Sequence, residues 1–384
     1  MRNIIIGIVI GTVFGVMAGA SVITPGLNQA RHTLPSTAPG VESLALDTSS
    51  QPQPAAKGPS NSKQKQRLRI ISLLPIKSSL FGDITHHLEQ NLAVLSTGKL
   101  GATLYAPDTL VPTEETFAAV KSGTVEAAYA FPDQWDQPSP TLQLFSAVPF
   151  GPKATEFLAW FYHGGGQVLF EDQFKRQGVH AVLCGALPPA GSGWFKKQLY
   201  SIEDIKGLNI RSRGLGAHVL QKLGANIKDF KPAAILNALK EGQIDGAEYI
   251  LPSVDGEMGF GQFARHYYFP GWQQPVSLLA LIINAKTWNG LAEHDQTVIE
   301  KSCGDTVRFS LIRADADQFS ALKKLSLAGV QVHRWPTPIL DTFKAQWTQI
   351  ARDLVQQDAD FKAAWSSLHL FRQDYGIWRE ISRP

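Results

Sequence analysis

From residue 67 onward the apolar positions alternate between the spacing of a strand and the spacing of a helix. Leu68, Ile70 and Leu74 in RLRIISLLP fall on the even spacing of a strand, and Ile84, Leu88, Leu92 and Leu95 then recur at helical intervals over Phe81–Leu95. KLGATLYAP reads as a strand, TEETFAAVKSG as a helix ending near Gly123, and TVEAAYAF as a third strand. This βαβαβ order predicts an α/β fold whose sheet is largely parallel and covered by helices. After a break in the chain near residue 185 the same alternation returns. GVHAVLC and GLNIRSR read as strands, LGAHVLQKLGA and KPAAILNALKEGQ as helices, and IDGAEYI, ARHYYF and VSLLALIIN as further strands. Two α/β lobes follow from that repetition. A long helix is expected over Glu293–Ala328, where Phe309, Ile312, Ala316, Phe319 and Leu322 keep three- and four-residue spacing. Phe361, Trp365, Leu368 and Phe371 mark a C-terminal helix, docked on its own chain or exchanged between subunits.

The first 66 residues follow neither pattern. Arg2, an uncharged apolar run from Ile4, and the small residues Ala18-Gly19-Ala20 fit a secretory signal peptide over residues 1–23. The run extends through Val22 and Ile23 to about 20 uncharged residues, which also suits an uncleaved signal anchor. Residues 24–66 are rich in Pro, Ser, Gln and Gly, lack aromatic residues, and read as a disordered linker. The exported body is then assigned to lobe I over 67–187 plus about 277–330, and lobe II over 188–276 plus about 331–384 with the C-terminal helices.

Composition narrows the function by exclusion. A net charge of +3 without a Lys/Arg cluster gives no footprint for nucleic acid. The two cysteines, Cys184 and Cys303, have no zinc or redox spacing. The simpler expectation is two buried thiols, with a long-range disulfide as the alternative. The stretch WFYHGGGQVLFE (160–171) is similar to an oxyanion-hole loop, but no Gly-x-Ser-x-Gly elbow accompanies it. Nor is there a zincin motif, a Walker loop or a dinucleotide fingerprint, and no catalytic residue is assigned. The three glycines are read as a break between two helices, since each costs about 1 kcal/mol relative to Ala inside one.

Four stretches, AVPFGPKATEFLAWFYHGGG, GLNIRSRGLGAHVLQKLGANI, ALKEGQIDGAEYILPSVD and YYFPGWQQP, resemble the solute-binding subunit of TRAP transporters. Within that family they are similar to the branch that binds 2-oxo acids and other monocarboxylates. The resemblance covers about Leu68 to Trp378. It implies a two-lobed periplasmic-binding-protein-like fold with a lobe-bridging helix at about 293–328. It also implies a receptor that closes on a small organic acid and hands it to a cation-driven membrane permease, not an enzyme. The family's carboxylate-binding arginine falls on Arg211, at the end of GLNIR. A guanidinium there offers a planar fork of donors to a carboxylate. The resemblance also implies Trp194, Phe195, Glu248, Tyr249 (where the branch has Trp), Trp272 and Gln274 at the pocket. Tyr129, Phe131 and Trp135 follow the third strand, and as strand C-termini are where α/β ligand sites form, they are further wall candidates.

In members that bind the acid together with a metal cation, a Gln before the Trp-Phe pair and two glutamates supply ligands. Here the first position is Ala190, the second remains Glu248, and the third is Gln274. A hard cation requires several oxygen ligands, preferably charged. Metal binding at Glu248 and Gln274 is therefore expected to be lost or weakened, leaving no cofactor. Glu248 is then free to pair with Arg211 or with an amino or hydroxyl group of the ligand. Expected partners are a small organic acid, the TRAP membrane subunits and, through the C-terminal helix, a second copy of the chain. The expected location is the periplasm, with tethering by the N-terminal segment if it is not cleaved. A membrane-tethered sensing module without transport is the competing reading.

Overall fold

The computed structural model describes residues 66–135 and 139–382, which fall within one compact unit. The signal segment and the linker expected ahead of this region lie outside the described residues. The chain enters through β1 (Gln66–Ser72), α1 (Ser79–Leu95), β2 (Leu100–Tyr105), α2 (Thr116–Ser122) and β3 (Ala127–Ala130). Helices α3 (Pro140–Ser146), α4 (Ala154–His163) and α5 (Gly166–Lys175) precede β4 (Val179–Leu187). Then come β5 (Gly193–Phe195), β6 (Asn209–Arg211), α6 (Gly214–Lys222), β7 (Asn226–Lys228), α7 (Pro232–Glu241), β8 (Gly246–Ala247), α8 (Pro252–Met258) and β9 (His266–Phe269). The chain continues through β10 (Ser277–Asn284), α9 (Ala285–Gly290), α10 (Glu293–Leu327), β11 (Gln331–Arg334), α11 (Thr337–Gln357) and α12 (Ala359–Ile381).

Two sheets result. One has five strands in the order β2-β1-β3-β10-β4, the other six in the order β11-β9-β5-β8-β6-β7. The first is largely parallel, as the pattern predicts, with one strand reversed. β1, β2 and β3 are parallel, but β10 returns from the second sheet and inserts antiparallel to both β3 and β4. A strand contributed by a distant segment is invisible to local periodicity. All eight residues of β10 are buried, because both faces of the sheet are covered by helices. The chain also runs on through residue 185, since β4 extends to Leu187.

Helix α10 has 35 residues, about 52 Å at 1.5 Å each. It packs on β4 of the first sheet, on α1, and on α8, which follows β8 of the second sheet. Its apolar row is only partly used, since Ile312 and Phe319 are exposed. Cys303 of α10 is joined to Cys184 of β4 by a disulfide. This corrects the expectation of two free thiols: β4 and α10 pack face to face and bring residues 119 apart together. α12 packs on α3, α4 and α5, and α11 on α6. Among the described residues no helix is long and apolar enough to cross a membrane.

Candidate functional site

Strands of both sheets end at one cleft. Leu73, Leu74 and Pro75 follow β1, and Phe131 and Asp133 follow β3. Arg211 ends β6, and Glu248, Tyr249 and Ile250 follow β8. Gln273, Gln274 and Ser277 enter from the segment that carries the chain between the sheets. Ligand sites in α/β proteins form at such carboxyl ends, where the backbone must leave the sheet. IDGAEYI illustrates this: only Gly246–Ala247 stays paired, so Glu248 and Tyr249 leave the strand at the cleft. The cavity measures about 70 Å³.

Arg211 is 5% exposed. Its Nη1 donates to the Glu248 carbonyl at 2.7 Å and its Nε to the Phe230 carbonyl at 3.4 Å, while its guanidinium lies 5.6 Å from the centre of the Tyr249 ring. Two of the five guanidinium N–H groups are thus held by backbone oxygens, and the remainder of the fork is free for an anion. Burial lowers the Arg211 pKa, with the charge of Glu248 opposing that shift. From its high starting value the group stays charged.

Glu248 is buried, and it does not pair with Arg211 through its carboxylate, since the arginine takes its carbonyl instead. One carboxylate oxygen accepts from the Ser212 hydroxyl and the other from Gln274 Nε2 at 2.9 Å. Burial pushes its pKa up to about 7, against the hydrogen bond from Ser212 and the charge of Arg211. Gln274 is positioned from behind, because its carbonyl accepts the Ala190 N–H at 3.0 Å. Gln273 is locked by bonds to Gly191, Ser192 and the Ser192 hydroxyl. A Cβ on Gly216 would lie 2.6 Å from the Gln273 Cβ, so only glycine lets α6 approach this segment.

The structure brings Arg211, Glu248, Tyr249, Gln274 and Phe131 together at the cleft and leaves the other expected wall residues in the core. Trp194 is fully buried, stacked on Tyr267 at 3.9 Å, with its Nε1 donating to Asp255. Phe195, on the opposite face of β5, packs on Tyr268 and Trp335. Trp272 packs on Phe150 and Phe343, and Trp135 on Phe117. Tyr129 is buried with its hydroxyl on the Cys184 carbonyl, and burial raises its pKa. Their physical role is to fix the strands that present the site. Sequence reasoning missed Ser212, Gln273 and Asp133. Ser212 alone carried a signal, as the polar neighbour of Arg211 at a strand end.

The oxygen set suits a cation poorly. Both Glu248 oxygens already accept hydrogen bonds, Gln274 presents its NH₂ to that carboxylate, and Ala190 has no side-chain oxygen. Among the described residues no group of three or more His, Cys, Asp or Glu converges on one point.

Comparison with known proteins gives a consistent result. The family described as DctP, bacterial extracellular solute-binding protein, family 7, matches residues 73–358. A monocarboxylate 2-oxoacid-binding periplasmic protein of Nostoc sp. is 30% identical over 293 residues, 76% of this chain and 80% of that protein. A TRAP transporter solute-binding protein from Bordetella bronchiseptica, a mixed-occupancy dimer with calcium and picolinate in the bound active site, superposes with a TM-score of 0.79. It is 29% identical, covering 83% of this chain and 94% of that one. A TRAP periplasmic solute-binding protein from Pseudoalteromonas atlantica, with bound sodium and pyruvate, has a TM-score of 0.79 and 25% identity, covering 83% of this chain and 97% of that one.

Proposed function

Because the chain belongs to the DctP family of bacterial extracellular solute-binding proteins, family 7, which serve TRAP transporters as substrate receptors and are not enzymes, we propose that its cleft takes a small monocarboxylate on Arg211. The observation that carries this reading is the buried guanidinium at the end of β6, anchored by two carbonyls with the rest of its fork open to a cavity of about 70 Å³. The relatives that bind 2-oxo acid, pyruvate or picolinate point to the same ligand class. Tyr249 and Phe131 supply the apolar walls, and Gln274 and Ser212 hold Glu248 beside the acid. Hinged closure of the two lobes around the acid would precede its transfer to the permease.

The acid is held here without a bridging cation, a reading supported by the occupied oxygens of Glu248 and by Ala190. The C-terminal end of α12 exposes Leu370, Ile377, Trp378 and Ile381, which supports pairing of two copies through that helix. An uncleaved 1–23 segment would tether the receptor to the membrane, and N-terminal sequencing of the exported protein distinguishes that from a free form.

A thermal-shift panel of organic acids tests the assignment. Small monocarboxylates should stabilise the wild type, by about 2.7 kcal/mol at a hundredfold excess over Kd, and Arg211→Ala should not respond. Equal responses from both proteins would remove Arg211 from the site. Repeating the panel with sodium and with calcium tests the cation: tight pyruvate binding only in their presence would overturn the metal-free mode.

A further inference from the structure

The carboxylate of Glu248 is a buried hydrogen-bond acceptor lining the cleft, and the side chains that donate to it are already committed. Ser212 has a single O–H, which points to one oxygen, and Gln274 gives an N–H to the other. An ionised carboxylate offers about four acceptor positions and no donor. With a further hydrogen bond from the Gln273 side chain, about one of these positions stays open. Asp133 and Arg213 are the other charged side chains that line the cleft. Asp133 accepts from Ser146 at 2.7 Å and lies against Gly214 at the start of α6. Arg213 is 40% exposed and turns toward Asp229, 3.9 Å away. A carboxylic acid placed on Arg211 therefore brings its second carbon toward a carboxylate that, above about pH 7, has no proton to donate. An oxo oxygen there would face a carboxylate oxygen, two acceptors without a proton between them. A hydroxyl or an ammonium would complete the open valence of Glu248 and relieve part of its burial cost.

We propose that the ligand is a small carboxylic acid carrying a hydrogen-bond donor on carbon 2, with Glu248 as the acceptor that selects it. This rests on the reading of the cleft as a carboxylate receptor. It separates the chain from the relative whose structure has bound sodium and pyruvate.

The test is a set of calorimetric titrations of the whole protein at pH 8, above the Glu248 range of about 7. The buffer is potassium with chelator, and the probes are L-lactate, D-lactate, L-alanine, pyruvate and propionate. A lactate enantiomer or alanine should bind at least about tenfold tighter than pyruvate, equivalent to one hydrogen bond to a charged group. Propionate, which has no substituent on carbon 2, should gain nothing over pyruvate. Glu248→Gln, whose amide can donate, should shift the ratio toward pyruvate. Pyruvate binding as tightly as the hydroxy and amino acids in the wild type overturns the inference, and so does an unchanged ratio in Glu248→Gln. If pyruvate binds and Arg211→Ala abolishes it, the receptor reading stands while the donor requirement falls. If no acid binds, both fall. The wild-type ratio decides the matter even if the variant does not fold.

Discussion

In the proposed site Arg211 and Glu248 meet the cost of burial by opposite means. Arg211 is buried yet stays charged, because guanidinium pKa starts far above neutrality and backbone carbonyls solvate it. Glu248 is buried with a carboxylate that burial alone would neutralise, and its pKa rises to about 7. A raised carboxyl pKa means that the folded state binds more protons than the unfolded chain between about pH 4.5 and 7. That contribution to stability is fully present below the lower value and declines as pH rises through the upper one. Thermal melts from pH 4.5 to 8 should show this decline in the wild type and a smaller one in Glu248→Gln. Buried Asp255, raised to about 6, contributes a decline of the same sign to both proteins. Equal slopes would mean that Glu248 is not protonated in the folded state. Both residues were legible in the sequence through the family resemblance of GLNIRSR and IDGAEYI, not through their place at strand ends alone. The aromatic residues were not. Whether Trp194 faces a cavity or Asp255 depends on the face of β5 that meets α8, and a three-residue strand carries too little alternation to say.

Elements explain what single residues do not. The glycines of WFYHGGGQVLFE separate α4 from α5, as the pattern predicts, with Gly165 at φ +89°. Their close approach is to the chain's own C-terminal helix. A Cβ on Gly164 would lie 2.7 Å from Phe371, and its carbonyl accepts from Ser367, which in turn accepts from Trp160 Nε1. Gly164→Val should cost about 1–3 kcal/mol and raise hydrogen exchange along α12. An α12 whose protection does not change would show that the contact is not needed. The disulfide between β4 and α10 is a second fastening. Closing a loop of 119 residues stabilises a chain by roughly 3–5 kcal/mol in the entropy picture. Reduction should therefore lower the midpoint of denaturant unfolding clearly, and an unchanged midpoint would assign the stability to packing. Nothing in the spacing of two cysteines announces this pair. Only the packing of a late helix on an early strand creates it.

At the scale of the whole molecule, the α/β alternation and the long helix could be read from periodicity. The insertion of β10 between β3 and β4 could not, because strand order is a long-range property. That insertion matters for the site. It forces the chain to pass between the sheets immediately after Trp272, Gln273 and Gln274, and so sets the two glutamines at the mouth of the cleft. In the proposed receptor the loop ends of the two sheets enclose one small anion, whose charge requires a fixed cation. The most direct measurement is a calorimetric titration of wild type and Arg211→Ala with the small carboxylic acid that stabilises the wild type most. Removing one partner of a buried charge pair costs roughly 3–5 kcal/mol, so the variant should bind at least about a hundredfold more weakly while melting as a folded protein. Binding that survives in Arg211→Ala within a few-fold, or the absence of any acid that binds the wild type, would contradict the account.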